Sequence, residues 1–342
     1  MMGDGVWRTM RGSAGGLTRR ALLLFGLAAF AASGLPAFAA SGLPARAEAP
    51  LSVVTTTGMI ADAARRIGGD AVDVRALMGP GVDPHAYRQT RTDIAAMVRA
   101  DLVLWHGLYL EAQMEEFLRK LGERKPVVAV AESLPREALI SHVDYSDKFD
   151  PHVWMDPRLW SKVVVSVRET LSAQRPSQAE VFAANAAVYL AELEELAAYS
   201  DKVFGSVPEK ARVLVTAHDA FSYFGRAHGF EVLGIQGIST QSEAGLQRVA
   251  ELVDTLVDRK IGAVFVESSV SDRSVRALME GAAAKGHKVI IGGELFSDAM
   301  GKDGTYEGTY PGMIDHNATT ISRALGGDAP ERGMAGRLAA GS

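Results

Sequence analysis

Four residues of this sequence combine metal-ligating side chains with positions that follow predicted strands. His85 and His152 each complete an Asp-Pro-His tripeptide, and His218 and Asp298 each come shortly after an apolar run. In a parallel sheet covered by helices, ligands collect at the carboxyl ends of the strands. Three imidazoles and one carboxylate are donors that zinc, manganese or iron accepts. The sequence therefore predicts a site for one divalent metal ion.

The prolines before His85 and His152 favour this interpretation. Proline fixes φ, so the imidazole that follows has little backbone freedom to lose when it binds an ion. A single histidine in such a turn is otherwise a capping or packing residue, and the argument depends on the four residues together. Because protonated imidazole cannot bind a metal, we expect binding to weaken below about pH 6.5.

Other polar residues near these positions have supporting roles in the prediction. Glu267 ends an apolar run and can accept an N–H from a ligand histidine, or it can pair with Arg273 instead. Residues 239–243 predict the N-terminal cap of a helix at the opening of the site. Four aspartates beside the ligands are predicted to form turns and caps: Asp83, Asp150, Asp156 and Asp219.

Composition excludes several other chemistries. The 342 residues include no cysteine, which removes disulfides, thiolate zinc sites, iron–sulfur clusters and cysteine nucleophiles. With 36 Lys and Arg against 41 Asp and Glu and no basic stripe, nucleic acid is not an expected partner. We find no H-E-x-x-H, G-x-S-x-G or phosphate-loop motif, so we expect no enzyme. A metallohydrolase stays the alternative, and it would need an open coordination position and a general base.

The N-terminal residues 1–47 predict a signal peptide. Arginines precede the apolar run 21–38, and the alanines at 45 and 47 offer an A-x-A cleavage site, with 37–39 as the second choice. The pair Arg19 and Arg20 resembles a twin-arginine signal. A retained membrane anchor is the alternative. Without a cysteine the mature protein cannot be a lipoprotein, and we expect it in the periplasm.

The elements that must position the four residues alternate between strands and helices. Apolar strands that alternate with helices indicate an α/β fold with parallel, doubly wound sheets. The run 176–204 lacks internal Gly or Pro and predicts one long helix, which would join an N-terminal lobe at 48–175 to a C-terminal lobe at 205–326. We expect a disordered tail at 327–342.

Five segments of the sequence resemble the TroA-like family, the metal-binding solute-binding proteins of ABC importers for zinc and manganese. They are GPGVDPHAY, DPHVWMDP, LVTAHDAFSYFGRAHGF, GISTQSEAG and ELFSDAMG, in this order and around the long helix. The resemblance runs from about Val53 to about Leu325. It implies two lobes on a rigid helix and one divalent ion held between them. Carried across by motif, the ligands are His85, His152, His218 and Asp298.

Two features of the sequence bear on the metal and point in opposite directions. Zinc-dedicated members of the family often carry a long His- and Asp-rich loop, whereas residues 135–149 hold only His142 and a few acids. Manganese members often place Glu where this chain has His218. An imidazole-rich set favours zinc, because manganese prefers oxygen donors. The sequence therefore leaves zinc and manganese as the two candidate metals, with iron as a further alternative.

The resemblance also implies partners and a task. The protein would capture the ion in the periplasm and deliver it, as a monomer, to a membrane permease with its ATPase. A binding protein for a chelated metal or siderophore is the alternative, and it would need a cleft lined by aromatic or arginine side chains.

Overall fold

Parallel strands connected by helices build both halves of the chain, as predicted. The structure, a computed structural model, describes residues 48–142 and 147–339, so the predicted signal peptide lies outside the described residues. For naming, we keep the predicted bounds of the first lobe, 48–175, and the second lobe, 205–326. None of the helices in the described ranges has the length and apolar character that a membrane span needs.

The first lobe is a four-stranded parallel sheet in the order β2-β1-β3-β4. Its strands are β1 (Leu51–Thr55), β2 (Val72–Ala76), β3 (Leu102–Trp105) and β4 (Val127–Ala129). Its helices are α1 (Gly58–Gly68), α2 (Arg91–Arg99), α3 (Glu115–Gly122) and α4 (Pro157–Gln174).

Side chains of this sheet alternate between two apolar clusters. Val53 and Leu104 pack on the face covered by α1 and α4, whereas Val54 and Val103 pack on the face covered by α2 and α3. Because successive residues of a strand point to opposite faces, a sheet buried on both sides needs a continuous apolar run. The runs at β1 and β3 meet this requirement.

The second lobe has two parallel strand pairs. They are β5 (Val213–Thr216) with β6 (Glu231–Gly234), and β7 (Ala263–Glu267) with β8 (Ile290–Leu295). Its helices are α6 (Ser222–His228), α7 (Leu246–Asp258), α8 (Arg273–Ala284) and α9 (Tyr310–Ala324). Helices α7 and α8 cover one side of the strands, and α9 packs on β8.

The long helix α5 (Ala179–Gly205) lies between the lobes and contacts α1, α4 and α9. A 3-10 turn at Pro176–Gln178 precedes it. The largest apolar cluster runs without interruption from Leu51 in the first lobe to Ile321 in the second. Separating the lobes would expose this apolar surface to water at a free-energy cost of roughly 25 cal/mol per Å². The shared core therefore favours small movements.

Several elements differ from the sequence prediction. Helix α4 was not predicted, although Asp156 caps it by accepting the backbone N–H of Arg158 and Pro157 occupies its first turn. The predicted cap at 239–243 is wrong, because α7 begins at Leu246 and residues 239–243 form a turn.

The prediction of a disordered tail after Leu325 is also wrong for the described residues, which run to 339. Leu338 and Ala329 are buried, and the backbone N–H of Met334 donates to both carboxylate oxygens of Asp315, at 2.9 and 3.0 Å. A buried carboxylate must find donors, and the tail supplies one to Asp315. Its small and polar composition gave no sign of this contact.

Candidate metal centre

Each of the four predicted ligands stands on a loop that leaves the sheet or leads into a helix. His85 follows β2, His218 follows β5 and Asp298 follows β8, all at the carboxyl ends of their strands. His152 lies in a turn just before α4, which Asp156 and Pro157 begin. Parallel strands place these loops at one edge of each lobe.

The structure brings these four side chains together. One ligand atom from each lies within 4.8 Å of the ligand atoms of the other three. Nε2 of His152 is 3.2 Å from Nε2 of His85 and 3.3 Å from Oδ1 of Asp298, and Nε2 of His218 is 3.2 Å from Oδ2 of Asp298. All four side chains are buried, with His85 the most exposed at 3%. Donors arranged in this way can surround one ion without water.

Two of the imidazoles are oriented by carboxylates. Nδ1–H of His152 donates to Oδ1 of Asp150 at 2.7 Å, and Nδ1–H of His218 donates to Oε2 of Glu267 at 2.5 Å. The same carboxylates accept the backbone N–H groups of these histidines, at 2.9 and 2.8 Å. A proton held on Nδ1 leaves the lone pair of Nε2 for a metal.

His85 is held in a different way. Its backbone N–H donates to Oδ1 of Asp83 at 2.8 Å, but within the described residues no carboxylate lies within ion-pair distance of its ring. Its backbone carbonyl accepts a hydrogen bond from the side chain of Gln241 in the second lobe. The orientation of His85 therefore depends on its loop, whereas His152 and His218 have carboxylates on their rings.

When the imidazoles are neutral and carry their proton on Nδ1, several buried atoms of the site have no hydrogen-bond partner. They are Nε2 of His218 and both carboxylate oxygens of Asp298, all fully buried. An unsatisfied buried polar group costs about 1–3 kcal/mol, and more when it is charged. A divalent cation among these atoms would offset that cost. The donor set therefore fits a metal ion.

The proton affinities of the four groups are strongly perturbed. Burial lowers the pKa of His85 to about 3. Burial also opposes the charged form of His152, but Asp150 and Asp298 outweigh it and raise the pKa of His152 to about 9. Glu267 and Asp298 likewise overcome burial and raise the pKa of His218, while the imidazoles hold the pKa of Asp298 well below its usual range.

Some supporting residues escaped the sequence analysis. Asp150 was predicted as a turn former only, yet it contacts both the backbone and the ring of His152. The buried ring of His106 lies between Trp154 and Trp160, and its Nε2–H donates to the carbonyl of Pro151 at 2.7 Å. The repeated Asp-Pro-His tripeptide was a signal for Asp150, while His106 has no such signal.

Comparison with known proteins gives concordant results. Residues 53–324 match the family described as zinc-uptake complex component A, periplasmic (ZnuA). The chain is 51% identical over 279 residues to the manganese-binding lipoprotein MntA of Bacillus subtilis, which covers 82% of this chain and 91% of the relative. It is 49% identical over 273 residues to the zinc-binding protein TroA of Treponema pallidum, which covers 80% of this chain and 88% of TroA.

A solved structure agrees with these sequence matches. The structure titled as the periplasmic zinc binding protein TroA from Treponema pallidum superimposes with a TM-score of 0.79 at 48% sequence identity. The match covers 81% of this chain and 99% of that chain. The fold, the family match and the two relatives all agree, and this chain belongs to the ZnuA family of periplasmic metal-uptake components.

Proposed function

We propose that this protein binds one divalent transition-metal ion outside the cytoplasm and delivers it to the membrane permease of an ABC importer, whose ATPase drives uptake. The observation that carries this proposal is the convergence of three imidazole nitrogens and one carboxylate at a single buried point. The family to which the chain belongs consists of binding components, so the protein is not an enzyme.

The proposed ligands are His85, His152, His218 and Asp298, with Asp150 and Glu267 as the carboxylates that orient two of the rings. A set that surrounds the ion and is nearly closed to solvent suits retention of a cargo. A catalytic zinc site keeps one position open for water or substrate. The burial of the four groups also favours a bare ion over a chelate, because a siderophore would need an accessible cleft.

We infer that the site accepts both zinc and manganese. Relatives at 51% and 49% identity are named for manganese and for zinc, respectively. Three nitrogen donors favour zinc in intrinsic affinity, because the order of stability places zinc above manganese for a given site. We therefore expect the tighter equilibrium binding with zinc.

Residues 1–47 are proposed as the export signal, with the twin-arginine pair at 19–20, and the mature protein as a periplasmic monomer. Several relatives, among them MntA of Bacillus subtilis, are named lipoproteins. This chain holds no cysteine to which a lipid could be attached. We therefore propose that it diffuses freely between the metal and the permease.

The test is a titration of the purified, metal-free exported protein with zinc and with manganese. Calorimetry and the melting temperature report binding, since a ligand of the folded state stabilises it by RT ln(1 + [L]/Kd). We expect one ion per chain and a larger rise in melting temperature with zinc. Absence of binding by both ions would refute the proposal.

A further inference from the structure

A turn of the second lobe reaches across to the loop that carries His85. The turn lies between β6 and α7 and includes Thr240 and Gln241. The sequence predicted only a helix cap for this stretch, and neither side chain is among the four proposed ligands. Their partners belong to the first lobe, so the contacts exist only when the two lobes are close at this point.

Thr240 acts on the residue that anchors His85. Its hydroxyl donates to Oδ2 of Asp83 at 2.6 Å. The other oxygen of the same carboxylate, Oδ1, accepts the backbone N–H of His85 at 2.8 Å. One carboxylate therefore connects the opposite lobe to the backbone of a proposed ligand.

Gln241 acts on the other side of the same residue. Its Nε2–H donates to the backbone carbonyl of His85, and its Oε1 accepts a hydrogen bond from Nε2 of Gln113, at 3.0 Å. Both the N–H and the C=O of His85 are therefore tied, directly or through Asp83, to residues 240–241 of the second lobe.

The turn of His152 also touches the second lobe, because the hydroxyl of Tyr223 donates to the backbone carbonyl of Asp150 at 2.8 Å. The rings of His152 and His218, however, are oriented by carboxylates of their own lobes. Asp150 and His152 belong to the same lobe, as do Glu267 and His218, so each of these rings stays oriented whether the lobes are close or apart. His85 has no carboxylate on its ring in the described part of the chain. It is therefore the ligand whose orientation depends most on contacts between the lobes.

Release of the ion requires a local opening. The four ligands are buried, and one apolar core crosses both lobes, so a wide separation would be costly. The contacts of Thr240 and Gln241 lie nearer the surface, since Thr240 is only partly buried and Gln241 is exposed. Hydrogen bonds at such positions break and re-form at small net cost.

We propose that Thr240 and Gln241 form a latch that positions His85 and slows the release of the metal ion. This inference rests on the proposed function and deepens it. The latch residues do not bind the ion. They act through the loop of His85, so they set the dissociation rate more than the association rate.

The test compares Thr240→Val combined with Gln241→Ala against the unaltered protein, with zinc as the probe. Zinc release into excess chelator is followed by stopped flow, and association is followed separately. Each lost hydrogen bond is worth about a factor of 2 to 12, so we expect roughly a tenfold faster dissociation with association changed less than about twofold. Thr240→Ser in place of Val keeps the hydroxyl and restores slow dissociation for that position.

A matched control makes the same two changes elsewhere in the second lobe. Gln247→Ala with Thr255→Val alters the exposed side of α7, where both side chains bond only to Glu251. We expect unchanged zinc kinetics. Equal melting temperatures of the metal-free variants would show that neither pair of changes disturbs the fold.

A double-mutant cycle with His85→Ala separates positioning from a general structural effect. If the latch acts through His85, its removal changes zinc dissociation less than twofold once the imidazole is gone. Dissociation within twofold of the unaltered protein in the latch variant, or an equal acceleration in the His85→Ala background, would overturn the latch. Failure of the unaltered protein to bind zinc would instead overturn the proposed function.

Discussion

The two Asp-Pro-His turns show how one tripeptide acquires two roles. In both, Oδ1 of the aspartate accepts the backbone N–H of the histidine, at 2.8 Å for Asp83 and 2.9 Å for Asp150. Asp150 also accepts a hydrogen bond from Nδ1–H of His152. The second oxygen of Asp83 instead accepts a hydrogen bond from the hydroxyl of Thr240 in the other lobe. Local sequence fixes the shared turn, and the wider fold decides whether the aspartate also holds the ring of its histidine.

Loss of either imidazole gives the largest expected effect. His85→Ala and His152→Ala each remove one of four proposed donors, so we expect zinc affinity to fall by more than the roughly 10–100-fold that loss of an outer partner costs. Calorimetric titration or chelator competition measures the change. His287→Ala is the control, because its Nε2–H contacts only the carbonyl of Ile261. Unchanged affinity in both ligand variants would contradict the proposed site.

The aspartates distinguish the two turns more finely. Asp150→Asn removes the charge that orients the ring of His152, and we expect about a 10–100-fold loss of zinc affinity. Asp83 contacts only the backbone of His85 and not its ring. For Asp83→Asn we therefore expect a loss of zinc affinity below about tenfold. Chelator competition at one pH measures both. Equal losses would show that the two turns hold their histidines in the same way.

Proton release on binding follows from the different pKa values of the three imidazoles. At pH 7 the metal-free protein holds a proton on His152, whose pKa is about 9, and on His218, whose pKa is also raised, but adds none to His85, whose pKa is about 3. A metal must displace the added protons, so we expect up to two protons released per ion and an affinity that rises with pH up to about 9.

Calorimetry in buffers of different ionisation enthalpy counts these protons. Asp150→Asn lowers the pKa of His152, and the release should then fall by up to one proton. The same raised pKa makes the stability of the metal-free protein depend on pH. Protonated His152 stabilises the fold fully below about pH 6.5, and this contribution is lost as pH rises through about 9. Binding without proton release at pH 7 would contradict this account.

The sequence predicted the ligand residues better than their environment. The parallel α/β fold followed from the apolar runs at β1, β3, β5 and β7, because a strand that is buried on both faces needs a nearly continuous apolar sequence. The four candidate ligands followed from residue type and position. The pH below which metal binding weakens, predicted near 6.5, is higher in the folded protein. Asp150 and Glu267 contact the rings of His152 and His218 only once the chain has folded.

Contacts between distant segments were not predictable from local patterns. Thr240 lies 157 residues from Asp83, and Gln241 lies 156 residues from His85. A Ser- and Thr-rich stretch before an apolar helix has the local pattern of a cap, which is why 239–243 was misassigned. The tail contact with Asp315 is missed for the same reason, since no residue near Met334 signals a buried carboxylate elsewhere in the chain.

The smallest expected effect concerns the prolines of the two turns. Pro84→Ala adds backbone freedom to a loop whose histidine has no carboxylate on its ring, so the ordering cost of binding rises. A Pro to Ala change of this kind is worth about 0.4–1 kcal/mol, which predicts a roughly two- to fivefold weaker zinc affinity. Pro151→Ala should leave zinc affinity unchanged within twofold, because two hydrogen bonds still hold that turn. Asp150 accepts Nδ1–H of His152, and His106 donates to the backbone carbonyl of residue 151. Parallel chelator competition on the two variants measures the difference, with the metal-free melting temperature as the check on folding. An equal loss in both would mean that the proline, and not the partner of the ring, sets the rigidity of each turn.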